Sequence, residues 1–264
     1  MFFGFEHMTV AYGRRTVLHD VTLEVPRGRM VALIGRNGCG KSTLLRTVCR
    51  TVTPRSGQVV LQDRPLTEYS PRRRARQIAY LGQGLPTPCD IDVETLVSYG
   101  RYPHIAAGRG MTADDREVID RVLKQTGLAP IRNRALTSLS GGELQRARIA
   151  MNLAQEPSVL ILDEPTTHLD LGYQLELLEL LRRLNRTLGL TVLMVLHDVD
   201  LAARYADLIY AMRDGRLVAV GAPDEVITAE HIREIFGVEA EILRDGTSGC
   251  PYVRPRTYIR EDGQ

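Results

Sequence analysis

Lysine is nearly absent from this chain: of 34 basic side chains only Lys41 and Lys124 are lysines, and the rest are arginines. Where arginine is written almost everywhere, a surviving lysine marks a place that a planar guanidinium does not suit. Long apolar runs are missing as well. Stretches such as Met30 to Ile34 and Val159 to Leu162 fall far short of the ~20 residues that cross a bilayer, so the chain is not expected to span a membrane. Charge of one sign is not in excess. The 34 basic and 32 acidic groups leave +2, which makes no electrostatic case for a nucleic-acid partner. Cysteine is sparse: Cys39, Cys49, Cys89 and Cys250 contain no C-x-x-C pair, which argues against a zinc site or a disulfide framework and for reduced thiols. The opening Met-Phe-Phe-Gly-Phe-Glu lacks the basic start and apolar stretch of a secretory signal, so a cytoplasmic protein is expected. What remains is ordinary globular material, 44% hydrophobic over 264 residues, enough for a sizeable core and one folded unit with subdomains.

Alternation in Val21-Thr-Leu-Glu-Val25, closed by Pro26-Arg-Gly28, predicts a half-buried strand and turn, hence an antiparallel β-layer near the start. Met30 to Ile34 is continuously apolar, Gly35 to Gly40 is glycine-rich, and Ser42 to Val52 carries apolar residues at helical spacing, which reads as strand, loop, helix. Val159 to Leu162 and Thr191 to Leu196 repeat the buried-strand pattern, and Leu175 to Leu188 is an amphipathic stretch stopping at Gly189. Strands alternating with helices predict a parallel sheet covered on both faces. From about Gln83 to Gln155 no strand is expected; Thr112-Ala-Asp-Asp115 predicts a capped helix ending at Gly127. The expected organisation is a core of residues 1–83 and 156–220, an inserted helical subdomain at 84–155, and a small appendage at 221–264 with short elements. Arg72-Arg-Arg74, after the helix start Ser70-Pro71, reads as a solvated face.

Gly35-Arg-Asn-Gly-Cys-Gly-Lys-Ser42 fits G-x-x-x-x-G-K-[ST] between a buried strand and a helix, the context this phosphate-binding pattern requires. Glycines let backbone N–H groups converge on phosphate oxygens, and the helix N-terminus favours the same charge. Lys41 would reach the β- and γ-phosphates, and Ser42 would ligate Mg²⁺. Val159-Leu-Ile-Leu-Asp163-Glu164 is a buried strand delivering two carboxylates at its C-terminal end, where Asp163 suits the Mg²⁺ shell and Glu164 can orient or deprotonate a water. Leu139-Ser-Gly-Gly-Glu143 opens a helix and offers a second anion site, or else an ordinary linker.

Together these three segments resemble Walker A, signature and Walker B of an ABC nucleotide-binding domain, over nearly the whole chain. The resemblance implies a P-loop NTPase (RecA-like) α/β core with an antiparallel β-subdomain and an inserted helical subdomain. It also implies MgATP bound and hydrolysed between two head-to-tail copies, so that Ser140, Gly141, Gly142 and Glu143 of one copy close on nucleotide held by the other. Gly35, Arg36, Asn37, Gly38, Cys39, Gly40, Lys41, Ser42 and Thr43 would bind that nucleotide, with Tyr12 stacked on adenine unless it is a core tyrosine. Gln83 resembles the glutamine that touches Mg²⁺, His197 the switch histidine at the γ-phosphate, and Asp170 the aspartate that crosses the dimer interface. Glu143 stands where the signature commonly has glutamine.

Gly100-Arg-Tyr-Pro-His104, Gly-Cys-Gly-Lys41 and Thr-Thr-His-Leu-Asp170 further resemble the ATPase subunits of ferric-siderophore importers, whose relatives carry haem and vitamin B12. This implies permease subunits in the membrane, an extracytoplasmic substrate-binding protein reached through them, and a place on the cytoplasmic face of the plasma membrane. A soluble, non-transport ABC ATPase is the alternative. Cys39, between converging N–H dipoles and Lys41, is expected to be an acidic, reactive thiol, or simply a small residue that a tight loop tolerates.

Overall fold

The structure, a computed structural model, describes residues 1–84, 90–106 and 108–259. Cys89 therefore lies outside the described residues, as do parts of the expected 84–155 and 221–264 segments. Two compact units are present, Met1–Glu68 with Thr191–Gln264, and Tyr69–Leu190.

The first unit starts with β1 (Phe3–Tyr12) and β2 (Arg15–Val25), followed by β3 (Met30–Gly35), helix α1 (Lys41–Val48), β4 (Ser56–Leu61) and β5 (Arg64–Pro65). The expected antiparallel layer is found, in the order β2-β1-β4-β5. Alternate side chains of β1 and β2 turn inward, and Phe3 and Phe5 meet edge to face at 5.7 Å beside fully buried Met8, Leu18 and Leu23. Helix α1 stops at Val48 rather than Val52. Arg50 takes a left-handed φ of 58° and donates its N–H to Thr47, a conformation that cannot continue a right-handed helix.

The second unit contains α2 (Pro71–Gln77), β6 (Ile78–Leu81), α3 (Val93–Ser98), α4 (Ala113–Gln125), α5 (Gly141–Leu153), β7 (Val159–Asp163) and α6 (Leu171–Leu188). β6 and β7 pair in parallel from Ile78↔Val159 to Leu81↔Leu162. Among the described residues from 90 to 155 the only β-pairing is the single bridge Asp92↔Ala135. The Thr112 cap is reciprocal: its hydroxyl accepts from Asp115 N–H at 3.2 Å, and the Asp115 carboxylate accepts from Thr112 N–H at 2.9 Å. Helix α6 begins at Leu171, four residues before the apolar stretch at Leu175, because Asp170 caps it by accepting from Tyr173 N–H; Gly189, left-handed at φ 64°, ends it.

A buried arginine organises the middle of this unit. Arg101 is 5% exposed and donates to Asp115 at 2.9 Å, to the Ala154 carbonyl at 2.7 Å and to Glu156 at 2.9 Å. Gly100 beside it has no room for a side chain, since a Cβ would collide with the Met151 carbonyl of α5. The basic run of α2 is not merely a solvated face. Arg72 donates to the carbonyls of Pro103 and Ile105, Arg76 also reaches Pro103 at 2.8 Å, and Arg73 lies over the Tyr69 ring. Chain reversal near Pro103 leaves carbonyls that guanidinium groups can satisfy.

The first unit resumes with β8 (Thr191–Val195), α7 (Val199–Tyr205), β9 (Leu208–Arg213), β10 (Arg216–Gly221), α8 (Pro223–Val226), α9 (Ala229–Phe236), β11 (Val238–Arg244) and β12 (Pro251–Tyr258). β3 lies between β8 and β9, parallel to both, with β10 antiparallel outside β9. All six residues of β3 and all five of β8 are buried, as strands with both faces covered require. The described residues after Gly221 form more regular structure than their weak pattern predicts. α9 is capped by Thr228, and β11 and β12 pair along most of their length. The hairpin is tied to α7 by a hydrogen bond of 2.8 Å from Val253 N–H to Asp200.

Candidate nucleotide site

The residues singled out in the sequence fall into two groups, one in each unit. In the first unit β3 ends in Gly35, the loop runs to Gly40, and α1 opens at Lys41. Gly35 has φ 148°, and a Cβ there would lie 2.9 Å from Cys39 Sγ and inside the Met212 carbonyl, so only glycine fits. Gly40 takes φ 109° and no side chain caps the helix behind it, which leaves N–H groups of the first turn for a bound anion. Lys41 is 4% exposed, and its ammonium donates to the carbonyls of Gly35 at 2.7 Å and Arg36 at 3.0 Å. Arg36, Asn37 and Gly38 are exposed on the loop's crest, and Ser42 and Thr43 are half-buried on α1.

Beside the loop opens a cleft of about 620 Å³ lined by Tyr12, Arg15, Val17, Gly38, Thr43 and Asp214, among others. Its size is that of a small-molecule site. Tyr12 is 50% exposed, so it is not a core tyrosine; its ring is available for stacking. His197 is exposed, one residue past the buried Leu196 that follows β8 and one before Asp198, which caps α7.

Cys39 does not match the expectation of an acidic thiol. It is buried, and burial pushes its thiol pKa up, outweighing the opposing influence of Lys41, whose Nζ lies 3.9 Å away. A thiol held protonated and covered is a poor nucleophile. N-ethylmaleimide is therefore expected to modify exposed Cys49 well before Cys39, as peptide mapping of briefly labelled protein would show. Preferential labelling of Cys39 would reverse this assignment.

In the second unit every residue of β7 is buried, including Asp163, which is 3% exposed. The Tyr80 hydroxyl on β6 donates to its carboxylate at 3.2 Å. Glu164 follows in a left-handed conformation, φ 55°, which turns the chain out of the strand at a cost that recurs at functional sites. Its carboxylate accepts from Gln83 Nε2 at 2.7 Å and from the Thr167 hydroxyl at 3.3 Å. Gln83 and Glu164, 81 positions apart in sequence, are thus brought into direct contact.

Ser140 caps α5. Its hydroxyl accepts from Glu143 N–H at 3.2 Å and its own N–H donates to the Glu143 carboxylate at 2.8 Å. That N–H lowers the Glu143 pKa despite opposing burial, with Arg134 adding to the effect. A Cβ on Gly141 would make only an ordinary contact with Leu169 Cδ2 at 3.8 Å, whereas a Cβ on Gly142 would strike the ring of Tyr173 on α6. Gln145 of the same helix donates to the Pro165 carbonyl at 2.9 Å, joining the Ser140 segment to the loop after Glu164. Tyr80, Thr167, Gln145 and Tyr173 went unnoticed in the sequence. Thr167 alone carried a signal, as a hydroxyl in the Thr-Thr-His-Leu-Asp170 stretch.

The sequence pattern of the ABC transporter family matches residues 18–167, more than half of the chain. The chain belongs to that family. It is 46% identical to the ferric enterobactin transport ATP-binding protein FepC of Escherichia coli K12, over 95% of this chain and 92% of that protein. It is 38% identical to the hemin import ATP-binding protein HmuV of Thermobifida fusca, over 96% of this chain and 88% of that one. Among solved structures, the ATP-binding cassette MJ0796, a dimer in a post-hydrolysis state with ADP and Pi, superposes with a TM-score of 0.71. That cassette is 27% identical, and the match covers 83% of this chain and 98% of it. The chain is accordingly an ABC ATPase with the P-loop NTPase fold. Among the described residues no helix is long and apolar enough to cross a membrane.

Proposed function

We propose that this ATPase is the motor subunit of an importer of ferric siderophores, or of the related cargoes haem and vitamin B12. Its identity of 46% along almost the whole chain to a ferric enterobactin transport protein is the observation that carries the reading. The subunit would work as a homodimer at the cytoplasmic face of the plasma membrane, bound to membrane-embedded permease subunits and, through them, to a substrate-binding protein outside. Residues 1–83 and 156–220 form the RecA-like core in this reading, 84–155 the helical signature subdomain, and 221–264 the appendage.

The loop from Gly35 to Thr43 holds the nucleotide's phosphates through backbone N–H groups and Lys41, while Tyr12 stacks on the base. Ser42, Gln83 and Asp163 supply oxygen ligands of the kind Mg²⁺ takes, and buried Asp163, oriented by Tyr80, is already fixed in position. Mg²⁺, when bound, neutralises charge on the β- and γ-phosphates. Glu164 accepts a hydrogen bond from the attacking water and draws off its proton, with Gln83 and Thr167 aiming the carboxylate. His197 contacts the γ-phosphate. Ser140, Gly141, Gly142 and Glu143 of the second copy close over the nucleotide, and Asp170 lies at that interface. Glu143 serves this role by locking Ser140 in the helix cap.

Lys41→Arg tests the phosphate loop, because the guanidinium does not fit where the ammonium meets two loop carbonyls. Nucleotide affinity should fall roughly 10- to 100-fold, the ~1.5–3 kcal/mol of a lost charge-assisted bond. In cells lacking the gene, the parent chain should restore uptake of radioiron-labelled siderophore and Lys41→Arg should not. Uptake at the parental rate without the chain would refute the import role and favour a non-transport ATPase.

A further inference from the structure

The Asp214-Gly215 turn between β9 and β10 touches the phosphate loop, although it contains no residue of the nucleotide motifs. Asp214 and Gly215 both have positive φ, 46° and 75°, the combination of a two-residue hairpin turn closed by Arg213↔Arg216. An ordinary hairpin tip points its amides at water. Here Gly215 N–H donates to the Cys39 carbonyl at 3.0 Å, and the Gly215 carbonyl accepts from His19 N–H on β2 at 2.9 Å. Gly215 cannot carry a side chain in this position, because a Cβ would drive into the Val17 carbonyl. Gly40 of the loop is held against the same strand, where a Cβ would lie 2.6 Å from Leu18 Cδ2 and 3.3 Å from that same Val17 oxygen. From the other side, Arg213 donates to the Glu234 carbonyl of α9 at 2.7 Å, which anchors the turn to a folded helix.

The geometry points to Gly215 as a positioning residue for the phosphate loop. The reason lies in the peptide plane. Cys39 C=O and Gly40 N–H belong to one trans peptide and point in opposite directions. Holding the carbonyl on Gly215 therefore fixes which way the Gly40 N–H faces, away from the turn. A phosphate binder assembled from backbone N–H groups works only if each peptide plane is set before the ligand arrives, since a flip would present a carbonyl oxygen to the anion. Glycine at position 40, with φ 109°, is free to flip, and the hydrogen bond to Gly215 removes that freedom. This inference rests on the reading of Gly35 to Thr43 as the site of the nucleotide's phosphates.

Gly215→Ala should raise the KM for MgATP about 10-fold or more, by misplacing the N–H cradle, while kcat stays within about 3-fold because the water-activating carboxylate is carried elsewhere. A variant that was merely less stable would lower the active fraction, and with it kcat, at unchanged KM. Gly249→Ala is the control for backbone strain, since Gly249 has φ 70° with open space around it; it should match the parent. Lys41→Ala, measured alongside, separates the two readings. Loss of nucleotide affinity in Lys41→Ala with an unchanged KM in Gly215→Ala overturns the positioning role alone, whereas normal affinity in both overturns the phosphate site itself. Should Gly215→Ala not fold, amide exchange on the parent chain decides. MgATP should slow exchange of the Gly215 amide by about 10-fold, as reciprocal coupling demands, and leave the Gly249 amide unchanged. A Gly215 amide indifferent to MgATP overturns the proposal.

Discussion

Glu164→Gln should lower ATP turnover by about 10²- to 10⁴-fold, the span that a positioned general base contributes, and leave MgATP binding intact, if the carboxylate has the base role proposed above. The substitution keeps the length and shape of the side chain, and the amide oxygen can still accept from Gln83 and Thr167, which hold the carboxylate at 2.7 and 3.3 Å. In the proposed mechanism it removes the proton acceptor and one negative charge from the group that activates the water. Steady-state hydrolysis and equilibrium nucleotide binding on the same preparation check this. Parental turnover would transfer the base role to another group. Gln83→Ala should cost less than Glu164→Gln, because it loosens the aim of the carboxylate without abolishing it.

Arg101→Met is expected to be the most damaging single change to stability. It strips Asp115 of its ion partner, leaves the Ala154 carbonyl without the donor at 2.7 Å, and leaves Glu156 with Arg121 alone. Breaking a buried pair from one side costs about 3–5 kcal/mol, chiefly because the remaining charge stays desolvated. For a chain of this size that corresponds to a fall in Tm of roughly 10 °C, measurable by calorimetry. A loss of a degree or two would show that the pair is dispensable. Replacing both partners, as in Arg101→Met with Asp115→Leu, should recover part of the loss. Acid provides a second check. Burial alone would raise the Asp115 pKa, but hydrogen bonds from Thr112 and then Arg101 outweigh it and hold the carboxyl at about 2, against an ordinary 3.8. A depressed carboxyl contributes stability above its unfolded pKa and loses it as pH falls through the folded one. The parent should thus shed this contribution between about pH 4 and pH 2, and Arg101→Met should show a shallower decline there.

The phosphate loop and the strand before Asp163 were legible because their signals are local: an unbroken apolar run, then glycines, or then carboxylates. The end of α1 was not, since nothing in Cys49-Arg50 announces that Arg50 will adopt a left-handed φ. Ser140-Gly-Gly-Glu143 has the same spacing of hydroxyl and acid as the cap at Thr112, so its closure was there to be read. The pairing of Tyr80 with Asp163 spans 83 positions and depends on the register of two parallel strands, which no local pattern encodes. The raised pKa of Cys39 has a related cause. Neighbouring dipoles can be inferred from a motif, but the burial that outweighs them depends on what packs against the loop.

The lysine held by the carbonyls of Gly35 and Arg36 has a kinetic consequence. Those contacts, together with the glycines packed against Val17 and Met212, give the loop internal reasons to keep its shape between one nucleotide and the next. If the loop holds the nucleotide as proposed, reloading is an exchange of partners for a single ammonium group rather than an ordering of chain, so little conformational entropy is lost at encounter. Arrival should be limited by diffusion into an open cleft, and differences in nucleotide affinity should be expressed mainly in how slowly each one departs.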